Sequence, residues 1–534
     1  MKKLFMITAV FYSIIMLKSQ WNANLNVNLL VADPGALGSS FSAAMNDGKT
    51  YIAYWKSVPA PKNYELWLQI LDQNGNKSLG SNGLLISNQI PMSSYTFLQG
   101  TAVDSSNNFY IAVTGTANNN GYLFKITPQG TSVWPNGILL GEATAPKVLP
   151  LSNGDIIVSY VNQDHTRVQR FNQNGQAVWP APIQILSDDP TKGSQPADIF
   201  ELANNEIEII FNKSGSGIYG SLFAQKLSGN GTIIWSSPKK ISTKSTSLVS
   251  INSGVVDGNN LYYGFTASDG FSIYAYLQKI NSDGSLAWGP DGVSFTTDPN
   301  NYQVDIKIAS TAGSPHIWSI AKYTNPSQNM SGEYIQKFDK NNGTRLLSDN
   351  AKQVFPIDNE FRTHEGNLYL INDNPFFIIQ KSIDIYKASL NAVLLNTTGN
   401  FVWSQQYLPM ATYPAMKTSI SSLAPINGQN VIVFQEQKSS DTNEKIYAQN
   451  LTLPNLGTNE VTKNQQFYLY PNPAKDVIYI KGVRDKKYEI YNTVGQQVES
   501  GKPKDGKIGV QNLSKGVYIL KIAEQRINHT FIKE

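Results

Sequence analysis

The chain has 534 residues, 41% of them apolar and 11% aromatic, so there is enough material for a sizeable core and wholesale disorder is excluded. Cysteine is absent, which excludes a disulfide framework, a thiol nucleophile and a lipid-anchored N-terminal Cys, and the four histidines (His165, His316, His364, His529) share no HxH or HxxxH spacing. The net charge of +4 divides into +3 over Met1–Ser19, +5 over Gln466–Glu534 and −4 over the long body between them, so the body has no basic stripe and nucleic acid is not an expected partner.

Met1–Ser19 carries two lysines, then the apolar run Leu4–Leu17, then Lys18-Ser19. Charged start, short apolar stretch and small residue at the cut read as a secretory signal peptide. Cleavage is expected after Ser19, leaving Gln20 first. No later stretch reaches the length of apolar sequence that spans a bilayer.

From residue 20 onward the chain repeats itself. An alternating apolar run, a polar turn ending in Gly, and a Trp four residues after that Gly recur as FKITPQGTSVW (Phe124–Trp134), QRFNQNGQAVW (Gln169–Trp179), QKLSGNGTIIW (Gln225–Trp235) and QKINSDGSLAW (Gln278–Trp288). A further copy ends at Trp403, two copies carry Leu79 and Leu347 at the Trp position, and an eroded copy ends at Gly457. The repeat glycines are Gly75, Gly130, Gly175, Gly231, Gly284, Gly343, Gly399 and Gly457. Between them lies a second element, a polar turn followed by an apolar strand, as in Asp47-Gly48 before Tyr51–Trp55 and Asn153-Gly154 before Ile156–Tyr160. Asn-Gly and Asp-Gly permit the positive φ of tight hairpins, and the short β-branched and aromatic flanks read as strands. Each repeat has room for about four strands, and such a sheet buries both faces only when copies stack radially. The expected fold is all-β: a β-propeller of eight blades over residues 20–457. Trp21–Val31 resembles the half-repeat after each Gly, so it is expected to supply the outer strand of the last blade and close the ring.

These repeats resemble the D-x-N-G-N-x-x-W propeller repeats of secreted proteins from bacteria that use type IX secretion. The resemblance implies a fold and not an activity.

Residues 458–465 are polar and break the repeat, which reads as a linker. Residues 466–534 hold six or seven short strands, hence a small β-sandwich. Four ordered motifs stand in it: Tyr470-Pro471-Asn472-Pro473-Ala474, then Ile490-Tyr491-Asn492 to Gly495-Gln496, then Leu513 to Gly516 and Tyr518, then Lys533 near the end. They resemble the type A C-terminal sorting domain of type IX secretion substrates. The resemblance implies passage through the periplasm, export across the outer membrane by the type IX machinery, and release or attachment to surface lipopolysaccharide. Glu534 follows Lys533 without a second terminal basic residue, a departure that bears on the anchoring step.

Chemistry-bearing motifs are sparse. There is no GxSxG, P-loop, GxGxxG or HExxH. Asp164-His165 falls in a loop, and the Asp72–Asn76 turn and its relatives lack the closing Glu of a calcium loop. No metal ligand set, catalytic residue or cofactor is expected. The repeat Trp residues read as blade-to-blade packing. Trp55, Trp67 and Trp318 break that register and are the candidate exposed aromatics for stacking on sugar or protein. The expected function is a secreted or cell-surface binding or adhesion module for a glycan or protein. A polysaccharide lyase or glycoside hydrolase, or a structural surface protein, are the alternatives. Titratable side chains converging near the ring axis would favour the enzyme.

Overall fold

A computed structural model describes residues 20–534 apart from 36–40, 61–63, 91–99, 116–117, 216–218, 248–251, 269, 271, 383, 385–386, 454–467, 482–486, 493–495, 505 and 523–526. The signal-peptide reading, the linker, Gly457 and Gly495 lie outside the described residues. The described residues contain strands and no helix, and the chain divides into two compact units, Met1–Asn455 and Leu456–Glu534.

The first unit is a succession of antiparallel meanders. The first meander runs Phe41–Asn46, Lys49–Ser57, Tyr64–Leu71, Leu84–Ser87, each strand paired with the next. Equivalent meanders begin at Gly100–Val103, Thr144–Pro150, Ser194–Glu201, Ser253–Asp257, Tyr302–Ala309 and Phe361–Ile371. Those beginning at Ser194 and Ser253 are joined through Ser245–Ser247 into one nine-stranded sheet. The last meander, Lys417–Ser422, Gln429–Glu436, Lys445–Thr452, takes its fourth strand from the other end of the chain: Leu29–Ala32 pairs antiparallel with Lys445–Thr452, Leu29 opposite Ala448.

Local sequence sets the hairpins. Asp47 and Gly48 both have positive φ, as do Gln163 and Asp164, Asn372 and Asp373, and Asn427 and Gly428. Two left-handed residues in a two-residue loop match the right-handed twist of the strands they join. In the repeat turn, Asp72 Oδ1 accepts the N–H groups of Asn74 and Asn76 at 2.8 Å, and Gly75 N donates to Asp72 O. Gly75 has φ +80°, and a Cβ there would stand 3.0 Å from the Trp21 ring. The same contact passes along the chain: Trp134 covers Gly175, Trp179 covers Gly231, Trp235 covers Gly284, and Trp288 covers Gly343. Leu79 takes the place of Trp over Gly130. Each repeat thus latches onto its successor.

The second strand of each meander is buried on both faces, as in Tyr51 to Trp55. The cores lie between sheets. Tyr51, Trp55 and Leu66 of the first meander pack with Phe109, Ile111 and Phe124 of the second. Ile52, Tyr54 and Leu71 of the first pack with Val431, Val433 and Ile446 of the last, together with Val31. The first strands touch in sequence from meander to meander, and Lys417–Ser422 of the last touches Phe41–Asn46 of the first. The arrangement is propeller-like.

The second unit has a three-stranded sheet (Tyr468–Tyr470, Val477–Lys481, Lys507–Gly509) and a four-stranded sheet in the order Gln497–Gly501, Tyr488–Asn492, Gly516–Ile522, Ile527–Lys533. Ile478 and Ile508 from one sheet share a core with Ile490, Leu520 and Phe531 from the other.

Candidate functional site

The innermost strands are not regular. Pairing register breaks between Thr144 and Lys147, Pro196 and Asp198, Val304 and Lys307, Glu365 and Tyr369, and Thr418 and Ser421. Ala145, Asp305 and Ser419 take positive φ at three of these breaks. A bulge bends its strand and re-aims the neighbouring side chain. Here the bulged strands carry Lys147, Asp198, Asp305, Lys307 and Glu365 on four meanders: Asp198 interacts with Lys147 and Lys307, and Lys307 also with Asp305 and Glu365.

A fifth meander adds Tyr263, which is fully buried and donates its hydroxyl hydrogen bond to Asp198 Oδ2. Burial pushes the Asp198 carboxyl above its usual range, while the Tyr263 hydrogen bond and the ammonium groups of Lys147 and Lys307 pull it back. Burial likewise pushes Lys307 down against the attraction of Asp305, Asp198 and Glu365. Glu365 is raised to about 7, first by burial, with His364 and Lys322 opposing and Glu333 and Asp305 adding to the rise. His364 is buried beside Glu333, its Nδ1 2.8 Å from Oε2, and its backbone N–H donates to Oε1 at 2.9 Å. Burial lowers the imidazole, but the Glu333 carboxylate outweighs it and the net direction is up. Asp198, Asp305 and Glu365 remain partly accessible. The cluster mixes cations and carboxylates in near balance, so it can hydrogen-bond a polar ligand from several sides. Groups whose environments shift their proton affinities in this way are also suited to proton transfer.

The aromatic candidates drawn from the sequence fall elsewhere, and two of them, Trp55 and Trp318, need correction. Trp55 and Trp318 are 0% exposed. They stand on second strands, which neighbouring sheets cover on both faces, so neither ring is open to stack on a ligand. Trp67 is half-buried, with Lys56 Nζ 5.0 Å from its ring centre and its Nε1 donating to Glu65 at 3.0 Å. Of the repeat rings, Trp134, Trp179, Trp235 and Trp288 are buried and Trp403 is half-buried. Asp164 sits in a hairpin turn beside His165, both lining a polar cleft of about 480 Å³. His316 lines a different cleft with Lys337 and Lys352, whereas His364 is bonded to Glu333.

The sorting motif gathers at the end of the chain. Tyr470 pairs through its backbone with Tyr479. Pro471 and Pro473 are exposed, and the Asn472–Pro473 peptide is cis. Asn472 Oδ1 accepts the Ile532 N–H at 2.8 Å. Buried Ala474 donates its N–H to Ile532 O at 2.8 Å and accepts from Glu534 N at 2.9 Å. Lys533 is 8% exposed and bridges to Ala474. Asn492 Oδ1 holds Gln496 N at 2.9 Å, and Tyr491 donates to Glu489 at 2.6 Å. Gly516 opens its strand opposite Lys533, and Tyr518 stacks on Phe531 with ring centres 5.7 Å apart.

Asp198, Tyr263, Lys307, Glu333 and Glu365 do not stand out as a site in the sequence. One signal is there: Lys147 and Asp198 each stand six residues ahead of a turn asparagine, Asn153 and Asn204, so a charged residue recurs at one position of the repeat.

Residues 468–533 match the family model described as the secretion system C-terminal sorting domain, which supports export of this chain as a type IX secretion substrate to the surface or the medium. No curated protein matches the sequence. Among solved structures, the chain is similar to the Dos1 propeller at 10% identity and TM-score 0.45, covering 80% of this chain and 96% of that one. It is similar to the polysaccharide lyase Uly1 at 11% identity and TM-score 0.42, covering 80% of this chain and 100% of that one. The α-L-arabinofuranosidase of Fusarium graminearum follows at 8% identity and TM-score 0.33, covering 58% of this chain and 93% of that one. At these values the likenesses assign no activity.

Proposed function

We propose that the chain is a type IX secretion substrate whose body is an eight-bladed propeller acting as a binding or adhesion module for a glycan or protein. Residues 1–19 serve as the signal peptide, 20–457 as the ring, 458–465 as the linker and 466–534 as the sorting sandwich. The route runs through the periplasm to the cell surface, with surface lipopolysaccharide as a further partner after sorting. The blade count rests on the succession of meanders, the sequential contact of their first strands and the core shared by first and last.

The observation that carries the binding reading is that five consecutive meanders each present a polar group, Lys147, Asp198, Tyr263, Lys307 and Glu365, with cations and carboxylates in near balance; the convergence of titratable groups by itself also meets the condition for an enzyme. Each meander contributes one or two polar groups to a common centre, the arrangement by which a rigid scaffold grips a ligand. The test is an array of glycans and matrix proteins probed with the purified body and with Lys307→Ala. Retained ligands that the variant loses at least tenfold support the assignment. Equal binding by the variant removes the cluster from the site.

A second reading is favoured by one specific pair of observations. Glu365 near neutrality and the Tyr263-to-Asp198 hydrogen bond would suit acid–base work on a polysaccharide. Depolymerisation lost in both Glu365→Gln and Tyr263→Phe would establish it. Binding without turnover would leave the module reading.

A further inference from the structure

A cleft of about 620 Å³ opens between the sixth and seventh meanders, away from the cluster on the innermost strands. His316 and Lys337 come from the second and third strands of the sixth meander, Lys352 from its fourth, and Thr398 from the repeat turn of the seventh. Leu346 and Leu347 supply apolar surface, and Leu346 is 40% exposed. Among the described residues, no carboxylate lines this cleft.

The charge here is uncompensated. Lys337 Nζ lies 4.8 Å from the ring centre of buried Trp318 and, among the described residues, bonds to no acid. Lys352 Nζ donates to Thr398 O at 2.8 Å and Asn400 Oδ1 at 2.6 Å, both neutral acceptors. His316 Nδ1 is buried without a hydrogen-bond partner among the described residues. The acids that flank these lysines in sequence make their contacts elsewhere. Asp339, opposite His316 in the strand register, accepts the N–H groups of Asn341 and Asn342, and Asp349 faces Arg345. Ile335 stands opposite Lys352 and Lys337 lies two residues further along the same strand, so both lysines project from one face of the sheet, where a single anion can interact with both.

We propose that this cleft binds an acidic saccharide, with its apolar sugar face on Leu346 and Leu347 and its carboxylate or sulfate group on Lys337 and Lys352. The exposed Thr397 and the apolar surface of Leu346 and Leu347 beside the two lysines match the mixed hydroxyl and C–H faces of a sugar ring, while the Thr398 hydroxyl is bonded within its own turn to Asn396 and Asn400. The chain is exported, so saccharides of the surrounding medium and of cell surfaces are accessible to it. The site is separate from the cluster described above and does not depend on its assignment.

The test is calorimetric titration of the full chain with oligogalacturonate, dextran sulfate, neutral dextran and polyglutamate. Binding is expected for one or both acidic saccharides, weakened by added salt, and reduced at least tenfold in Lys337→Ala. Lys337 bonds to no carboxylate among the described residues, so this variant leaves the neighbouring hydrogen bonds in place, and Lys337→Arg should retain most of the affinity. Oligogalacturonate against dextran sulfate distinguishes a uronate from a sulfate ligand. Four outcomes overturn the proposal: no binding of either acidic saccharide, unchanged binding by Lys337→Ala, equal binding of neutral dextran or polyglutamate, or loss of the signal in Lys307→Ala, which would place it in the cluster on the innermost strands.

Discussion

Glu208 is 0% exposed, and neither of its carboxyl oxygens has a hydrogen-bond partner among the described residues. It stands opposite Lys226 in the strand register, but the Lys226 ammonium is 3.2 Å from Glu206 and donates to Ser282 O. Burial therefore dominates and raises the group to about 8, from 4.5 in the free residue. Between those values the folded chain holds a proton that the unfolded chain has lost. Stability is then complete below about pH 4.5 and declines as pH rises toward 8. Glu365 acts with the same sign up to about 7. Melting temperature measured from pH 5 to 8 should fall. Glu208→Gln should flatten that slope, since one retained proton costs about 1.4 kcal/mol of stability for each pH unit of the rise. A variant with the parental slope would show that Glu208 is ionised in the folded chain.

Trp179 makes the opposite kind of contribution. It is 2% exposed, lies over Gly231, and donates from Nε1 to Gly229 O at 3.2 Å. Trp179→Ala should cost roughly 3–5 kcal/mol in denaturant unfolding. A loss below about 1 kcal/mol would mean that the latch between repeats is dispensable.

At the scale of elements, the last meander is held by an ion pair. Lys417 Nζ is 2.7 Å from Glu436 Oε2, both side chains are 0% exposed, and Asn28 Nδ2 donates to the same carboxylate at 3.1 Å. One carboxylate thus ties the first strand, the second strand and the segment arriving from the N-terminal end. Removing one partner leaves a buried charge without compensation, so Glu436→Ala should cost about 3–5 kcal/mol and increase hydrogen exchange across Leu29–Ala32. An unchanged exchange rate there would mean that the strand is held by its core contacts alone.

Elements of this kind are partly legible in the sequence. The Asp47-Gly48 and Asn427-Gly428 hairpins follow from local sequence, because turn chemistry acts over a few residues, and the pairing of the segment after Trp21 with the final meander follows from its likeness to the half-repeat that the final meander lacks. The bulges at Lys147, Asp198 and Lys307 are not legible there. A register slip is decided by the partner strand and by packing across the sheets, and neither is written locally. Trp55 and Trp318 mislead for a related reason. Their departure from the repeat position suggests exposure, but in stacked sheets a middle strand has no solvent face.

For the whole molecule, the sorting domain has its own core, with Ala474, Ile490 and Phe531 all at 0% exposure, and the first unit completes its sheets without it. Deleting residues 458–534 should leave a folded body that melts within about 2 °C of the parent, is retained in the periplasm and is absent from the surface and the medium. Surface arrival of the truncated chain would contradict the sorting role, and its unfolding would place a structural strand beyond the cut.

The pairing of Leu29–Ala32 with Lys445–Thr452 also fixes how the body responds to force. Leu29 lies opposite Ala448, so the strand end nearest the N-terminus and the strand end leading to the sorting domain emerge at the same side of the pair. Tension applied through the two ends of the chain therefore first lifts Trp21 from the Gly75 turn and then pulls these strands apart like a zipper, loading one backbone hydrogen bond at a time. Optical-tweezer extension from both ends should show a small, low-force first step that lengthens the chain by the segment before Phe41, followed by larger releases as successive meanders lose their neighbours. A substrate drawn through a membrane by its tail would yield first at this seam.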